Sequence, residues 1–240
     1  MLTFMCIGAQ KSGTTWLYEQ LNRIEQVGFP GGKEVHYWNA RHVSEPLEWY
    51  QSLFSTDATR IEGDMTPAYA MLCDATVKQI QQLYPKLKII FILRNPIERA
   101  WSSALMALKR AELEIDEVSD QWFIDHFNSR GSRARGAYES TLRRWRGIFG
   151  EEAVKTLFYQ DIQRHPYLVL QDVCDFLQLN LPAKAESQVQ ERVFAGPGYP
   201  LRESLKPVLW ALYREPVQSL QLYLQKDLSD WLSDYGTSSV

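Results

Sequence analysis

The sequence predicts an α/β fold: a single P-loop-like domain over residues 1–240, with a central parallel β-sheet flanked by helices and a helical C-terminal third. Three observations predict it. Short apolar runs alternate with helical patterns through the first two thirds of the chain, which is how a parallel sheet with crossover helices reads. One run, Lys88-Ile-Ile-Phe-Ile-Leu93, is apolar almost throughout, as a strand covered on both faces must be. The first run breaks at Gly8 and passes through Lys11-Ser12-Gly13-Thr14-Thr15 into a helical pattern at Leu17, Leu21 and Ile24, a strand–turn–helix order.

In chain order, strands are expected at Phe4–Gly8, Val27–Phe29, Thr59–Glu62, Lys88–Leu93 and Val154–Tyr159. Helices are expected at 14–25, 47–54, 74–84, 96–110 and 136–149. The fourth of these starts cleanly, because Asn95 is a good N-cap and Pro96 suits the first helical position. Residues 129–136, rich in Arg, Gly and Ser, read as a basic flexible loop whose Arg130, Arg133 and Arg135 are solvated or steer an anion. From Asp161 onward the pattern is mainly helical, interrupted by Ala195-Gly-Pro-Gly-Tyr-Pro200. Residues 235–240 read as a disordered tail. There is no internal repeat and no clean linker, hence one domain.

Bulk properties narrow the function. A chain of 240 residues with 45% hydrophobic content can bury one good core. A net charge of −3 argues against general nucleic-acid binding, which needs a basic surface. Cys6, Cys73 and Cys174 lack CxxC spacing, so neither a zinc site nor a disulfide framework is expected, in keeping with a reducing compartment. The first strand begins at once, which leaves no room for a signal peptide, and no apolar run approaches the ~20 residues that span a bilayer. A cytoplasmic chain without membrane association is the expectation, and the oligomeric state is left open.

The turn after the first strand is built for phosphate. A helix starting there presents unpaired N–H groups and the positive end of its dipole. Gly13 lets the backbone approach an anion, Lys11 adds a movable charge, and Ser12, Thr14 and Thr15 add hydroxyls. It is not a Walker A loop. Only Ala9 and Gln10 separate Gly8 from Lys11, and the Lys precedes Gly13. The alternative is an ordinary strand-to-helix turn that happens to carry a Lys. A second phosphate site is indicated where the strand Lys88–Leu93 ends in Arg94-Asn-Pro-Ile-Glu-Arg-Ala-Trp-Ser102. Asn95, Arg99 and Ser102 share a helix face there, and a guanidinium fork with a nearby hydroxyl suits a phosphate dianion. A structural salt bridge is the competing reading of Arg94. Two sites on two strand ends point to a nucleotide phosphorylated at two positions. An Arg where a nucleotide triphosphatase has its acidic strand end speaks against a small-molecule kinase using ATP and Mg²⁺.

Lys11-Ser-Gly-Thr-Thr-Trp-Leu17 resembles the 5′-phosphosulfate loop of sulfotransferases, and Arg94 to Ser102 resembles their 3′-phosphate motif. Gly136-Ala-Tyr138 to Phe149, Phe158-Tyr159-Gln-Asp161-Ile162 and the segment Tyr213 to Trp231 extend the resemblance to its bacterial and heparan-sulfate-type branch. The resemblance implies 3′-phosphoadenosine 5′-phosphosulfate (PAPS) as donor and adenosine 3′,5′-bisphosphate (PAP) as product, with no metal required. It implies donor contacts from Lys11, Ser12, Gly13, Thr14, Thr15, Trp16, Arg94 and Ser102, with Gly198 and Tyr199 closing over the nucleotide.

Lys33-Glu34-Val35-His36-Tyr37-Trp38 is similar to the stretch that carries the general base in heparan sulfate sulfotransferases. By that resemblance Glu34 is the base, His36 its rival, and Lys11 stabilises the departing phosphate during direct in-line transfer. A structural salt bridge between Lys33 and Glu34, and a loop-shaping hydrogen bond at His36, are the non-catalytic alternatives. Two positions depart from the family. Met65 stands where heparan-type enzymes carry a Lys, which favours a less charged acceptor, and Pro197-Gly198-Tyr199 replaces a Lys-Gly-Phe type turn. The expected acceptor is a small molecule or saccharide, sulfated on a hydroxyl rather than an amine. A nucleotide-binding module without turnover is the remaining alternative.

Overall fold

The computed structural model describes residues 1–181, 189 and 198–236, and the chain divides into two compact units. The first comprises Met1–Leu93 with Leu142–Phe194, and the second Arg94–Thr141 with Ala195–Val240.

The first unit is built on a five-stranded sheet: β1 (Leu2–Gly8), β2 (Val27–Gly28), β3 (Ile61–Met65), β4 (Lys88–Leu93) and β5 (Val154–Phe158). Their spatial order is β2-β3-β1-β4-β5 and every pairing is parallel. Helices α1 (Thr14–Asn22), α2 (Leu47–Ser52), α3 (Asp74–Leu83), α8 (Tyr159–Arg164) and α9 (Pro166–Leu177) belong to this unit, with a 3₁₀ turn over Pro67–Met71. Side chains alternate along a strand. Phe4, Cys6, Ile90, Ile92 and Leu157 therefore face one way, into a core shared with Leu17 and Leu21 of α1 and Leu170, Val173 and Leu177 of α9. Met5, Ile7, Ile89, Phe91 and Leu93 face the other way and are just as buried. Burial on both faces explains why β4 is an unbroken apolar run, each of its buried Leu or Ile side chains contributing about 1.5–3 kcal/mol.

The second unit is helical: α4 (Pro96–Arg110), α5 (Asp120–Asn128), α6 (Arg130–Gly136), the start of α7 (Tyr138–Phe149), and the helices Lys206–Leu224 and Asp230–Ser233. α4 begins where its cap dictates. Asn95 Oδ1 accepts from the Ile97 N–H at 3.0 Å, and Asn95 Nδ2 donates to the Trp231 carbonyl at 2.9 Å. Ile97, Ala100, Trp101, Ala104, Leu105 and Leu108 then recur at helical spacing and are buried.

Two expectations are corrected. Residues 129–136 are not a flexible loop, because Arg130–Gly136 is α6, capped by Ser129 Oγ accepting from the Ser132 N–H at 3.2 Å. Its Gly136 marks close packing: a Cβ there would meet the Tyr213 ring at 2.9 Å. Of its arginines, Arg130 and Arg133 are exposed, but Arg135 is half-buried and donates to the Gly131 carbonyl at 2.9 Å. The third strand runs over Ile61–Met65 rather than Thr59–Glu62, because Gly63 and Asp64, which read as turn residues, pair with Phe4 and Met5 of β1. The expected turn at 195–200 is described only from Gly198, and Pro197 and residues 237–240 of the expected tail lie outside the described residues.

Among the described residues no helix is long and apolar enough to cross a membrane, and Cys6, Cys73 and Cys174 are free thiols.

Candidate active site

In the first unit, β1 ends in a turn with a left-handed backbone at two points: Lys11 has φ +68° and Gly13 φ +92°. Gly13 is the N-cap of α1 and supplies no side-chain acceptor, and the first helical hydrogen bond runs from the Leu17 N–H to the Gly13 carbonyl at 3.1 Å. The amides of Thr14, Thr15 and Trp16 precede that bond, so they are the donors a helix N-terminus offers an anion. A glycine is required at position 13 twice over, by its φ and because a Cβ would sit 3.0 Å from the Tyr159 ring. Ser12 is fully buried, and its Oγ finds no hydrogen-bond partner among the described residues. Buried hydroxyls are ordinarily satisfied, so this one stands out as an unspent hydrogen-bonding group beside the helix N-terminus. Thr14 is buried, while Lys11 and Thr15 are half-buried. The Trp16 indole is 6% exposed and packs in the core, so what this residue offers the turn is its backbone N–H.

The loop after β2 brings the rival bases together. Glu34 Oε2 lies 3.1 Å from His36 Nε2, and Glu34 Oε1 accepts from Lys33 Nζ at 2.8 Å. His36 Nδ1 lies 3.2 Å from Asn39 Oδ1. The side chains of Glu34 and His36 are each 39% exposed, whereas Val35, Tyr37 and Trp38 are buried. Tyr37 stacks on Tyr50 with ring centroids 4.6 Å apart. The loop is thus pinned on its apolar side and presents its polar pair outward. His36 holds a left-handed backbone, φ +58°, uncommon for a non-glycine residue. Its N–H donates to Thr66 Oγ1 at 3.4 Å, and Thr66 Oγ1 donates to Asp64 Oδ1 at 2.7 Å.

Asn39, Asp64 and Thr66 escaped the sequence reading as site residues. The available signal was Asp64, an acid directly before the apolar-flanked stretch Met65-Thr66-Pro67. Met65 itself is fully buried in the sheet core with Cys6 and Ile90. A Lys introduced there would place an ammonium in that core. Met65→Lys is therefore expected to destabilise the fold by about 3–5 kcal/mol, read as a lower denaturation midpoint.

In the second unit, Arg94 Nε donates to Glu98 Oε2 at 3.0 Å, and the Arg94 carbonyl accepts from the Tyr138 hydroxyl at 2.9 Å. The Tyr235 phenol is held up at about 12, first by burial and then by Glu98 and Asp234, against the pull of Arg94. Ser102 is half-buried, two turns along α4. Arg99 is fully buried instead, with Nη2 donating to the Ser132 carbonyl at 2.9 Å. Gly198 has φ +73° and is exposed. The Tyr199 side chain is exposed, while its carbonyl accepts from Trp101 Nε1 at 2.8 Å. Among other aromatic residues of the chain, Trp38, Tyr50 and Trp101 are buried and Trp49 and Trp122 half-buried.

Comparison with known proteins agrees with this architecture. A model of the sulfotransferase domain matches residues 3–195. The chain is 26% identical over 187 residues to the bifunctional heparan sulfate N-deacetylase/N-sulfotransferase 1 of Caenorhabditis elegans, covering 73% of this chain and 22% of that protein. It spans about a quarter of the length of the curated relatives it matches. A sulfotransferase crystal structure from Alicyclobacillus acidocaldarius superposes with a TM-score of 0.75 at 25% identity, covering 96% of this chain and 98% of that one. Mouse sulfotransferase SULT7A1 complexed with PAP shares the fold, with a TM-score of 0.60 at 17% identity over 93% of this chain and 88% of its own. With its phosphate-type turn, its parallel sheet and a family model matched over most of its length, this chain is a sulfotransferase domain and belongs to that family.

Proposed function

We propose that the chain transfers a sulfuryl group from PAPS to a hydroxyl, rather than an amine, of a small-molecule or saccharide acceptor, releasing PAP. The observation that carries this reading is the exposed Glu34–His36 pair, a carboxylate oxygen and an imidazole nitrogen 3.1 Å apart. An alcohol must lose its proton as its oxygen bonds to sulfur, and in this reading Glu34, backed by His36, accepts it. When bound, PAPS supplies the sulfuryl group and a phosphate as leaving group, so the transfer is direct and in-line and invokes no metal. Ser12 Oγ and the amides of Thr14, Thr15 and Trp16 take the 5′-phosphosulfate, with Gly13 keeping the backbone close. Lys11 answers the charge that builds on the departing phosphate. Arg94 and Ser102 take the 3′-phosphate. Glu98, whose side chain is 43% exposed, gives up Arg94 when the stronger anion arrives. Gly198 and Tyr199 cover the nucleotide. Met65 lies in the sheet core and so carries no preference for the charge of the acceptor, and the three free thiols favour a reducing, cytoplasmic setting.

A thermal-shift titration with PAP, run beside ATP with Mg²⁺, tests the donor half. A ligand bound only by the folded chain at 100 times its Kd stabilises by about 2.7 kcal/mol, or about 5–11 °C at this size. Stabilisation by PAP and not by ATP–Mg²⁺ is expected, and the reverse would overturn the reading. An acceptor screen with labelled donor then tests turnover, which a module that only binds the nucleotide would lack.

A further inference from the structure

Asp64 is fully buried on β3 and has no part in the chemistry above. Its Oδ2 accepts from the Tyr50 hydroxyl at 2.9 Å and the Tyr69 hydroxyl at 2.8 Å, and its Oδ1 from Thr66 Oγ1 at 2.7 Å. Three hydroxyls converge as donors, the pattern of an acceptor-only carboxylate. Burial pushes the Asp64 carboxyl above its ordinary range, and the three hydroxyls and His36 pull it back.

A carboxylate in an apolar core is costly, so what it holds is informative. Thr66 Oγ1, fixed by Asp64, accepts the His36 N–H. Tyr50, fixed by Asp64, stacks on Tyr37. Asp64 therefore grips the 34–38 loop at His36, the residue with the left-handed backbone whose ring meets Glu34, and at Tyr37 beside it. We infer that Asp64 is a positioning residue for sulfuryl transfer: through Thr66 and Tyr50 it holds His36 and Tyr37 so that Glu34 meets the acceptor in register. The inference rests on Glu34–His36 being the proton-accepting pair.

The test compares Thr66→Val, Thr66→Ser and Asp64→Asn with Glu34→Gln, measuring kcat, acceptor KM and PAP binding by thermal shift. Thr66→Val keeps the carboxylate and its two tyrosine donors while removing the hydroxyl that joins Asp64 to His36, so it carries the test even where Asp64→Asn fails to fold. A misplaced base is expected to lower kcat about 10- to 100-fold in Thr66→Val and in any folded Asp64→Asn. PAP affinity and KM should stay within about twofold, because the loss falls on the transition state. Thr66→Ser restores the hydroxyl and should restore kcat. Where it folds, the Asp64→Asn/Thr66→Val double variant should be no slower than Asp64→Asn alone, since Asp64→Asn already weakens the link through Thr66. Wild-type kcat in Thr66→Val, a Thr66→Ser as impaired as Thr66→Val, or a loss shared equally with PAP binding would each overturn the inference. Full activity in Glu34→Gln removes the base reading and this inference with it. Impaired Glu34→Gln beside unimpaired Thr66→Val removes the inference alone.

Discussion

Glu34→Gln is expected to lower kcat by about 10²- to 10⁴-fold, the range of a lost general base. The substitution keeps the shape of the side chain. An amide oxygen can still accept from Lys33 Nζ, and the amide N–H can still meet His36 Nε2, so the loop keeps the contacts now made at 2.8 and 3.1 Å. What disappears is the capacity to take a proton from the attacking oxygen. PAP binding should be unaffected, because the phosphate donors proposed above, Ser12–Trp16, Arg94 and Ser102, are left unchanged. Steady-state kinetics at saturating PAPS, with an acceptor from the screen, make the measurement. His36→Ala and the double variant belong beside it. If the pair works as one unit, the double variant is no slower than Glu34→Gln alone. If instead His36→Ala is inactive and Glu34→Gln is nearly normal, His36 is the base and Glu34 orients it.

How much of this site could be read from the chain depends on how local each contact is. The turn at residues 8–16 was legible, because strand end, glycine, Lys and helix start are consecutive and each constrains its neighbours. The α4 start was legible for the same reason, with its cap and first-turn proline side by side. The Glu34–His36 pairing was only half legible. Spacing put both on one loop, but whether they competed or cooperated depended on the backbone at His36 turning left-handed. Asp64 was hidden by its composition. Gly63-Asp64 reads as a turn, and only its pairing across to β1 keeps the chain extended there. Its value is non-local too, since its partners include Tyr50, fourteen positions away. The helix Arg130–Gly136 was missed on similar grounds. Its glycines looked like freedom, whereas Gly136 is small because Tyr213 packs against it from far along the chain.

Lys11→Ala is the second large effect, with kcat expected to fall about 10²- to 10³-fold, as when a donor to a developing charge is removed. Lys11 follows the end of β1 and precedes the amide array of α1, and its own φ of +68° directs it within a turn whose neighbours are fixed. The leaving phosphate gains charge as the sulfur–oxygen bond breaks. A cation placed on that oxygen is worth more in the transition state than in the bound donor, so kcat should suffer more than PAP affinity. Lys11→Arg should recover little of the loss, because the broad planar guanidinium is larger than the compact ammonium it replaces. The comparison that decides the role is the ratio of two losses. A kcat deficit well beyond the PAP deficit identifies Lys11 with the departing oxygen. Equal deficits, or weakened PAP binding at normal kcat, would make it a ground-state phosphate anchor and leave the α1 N-terminus and Ser12 to carry the leaving-group charge.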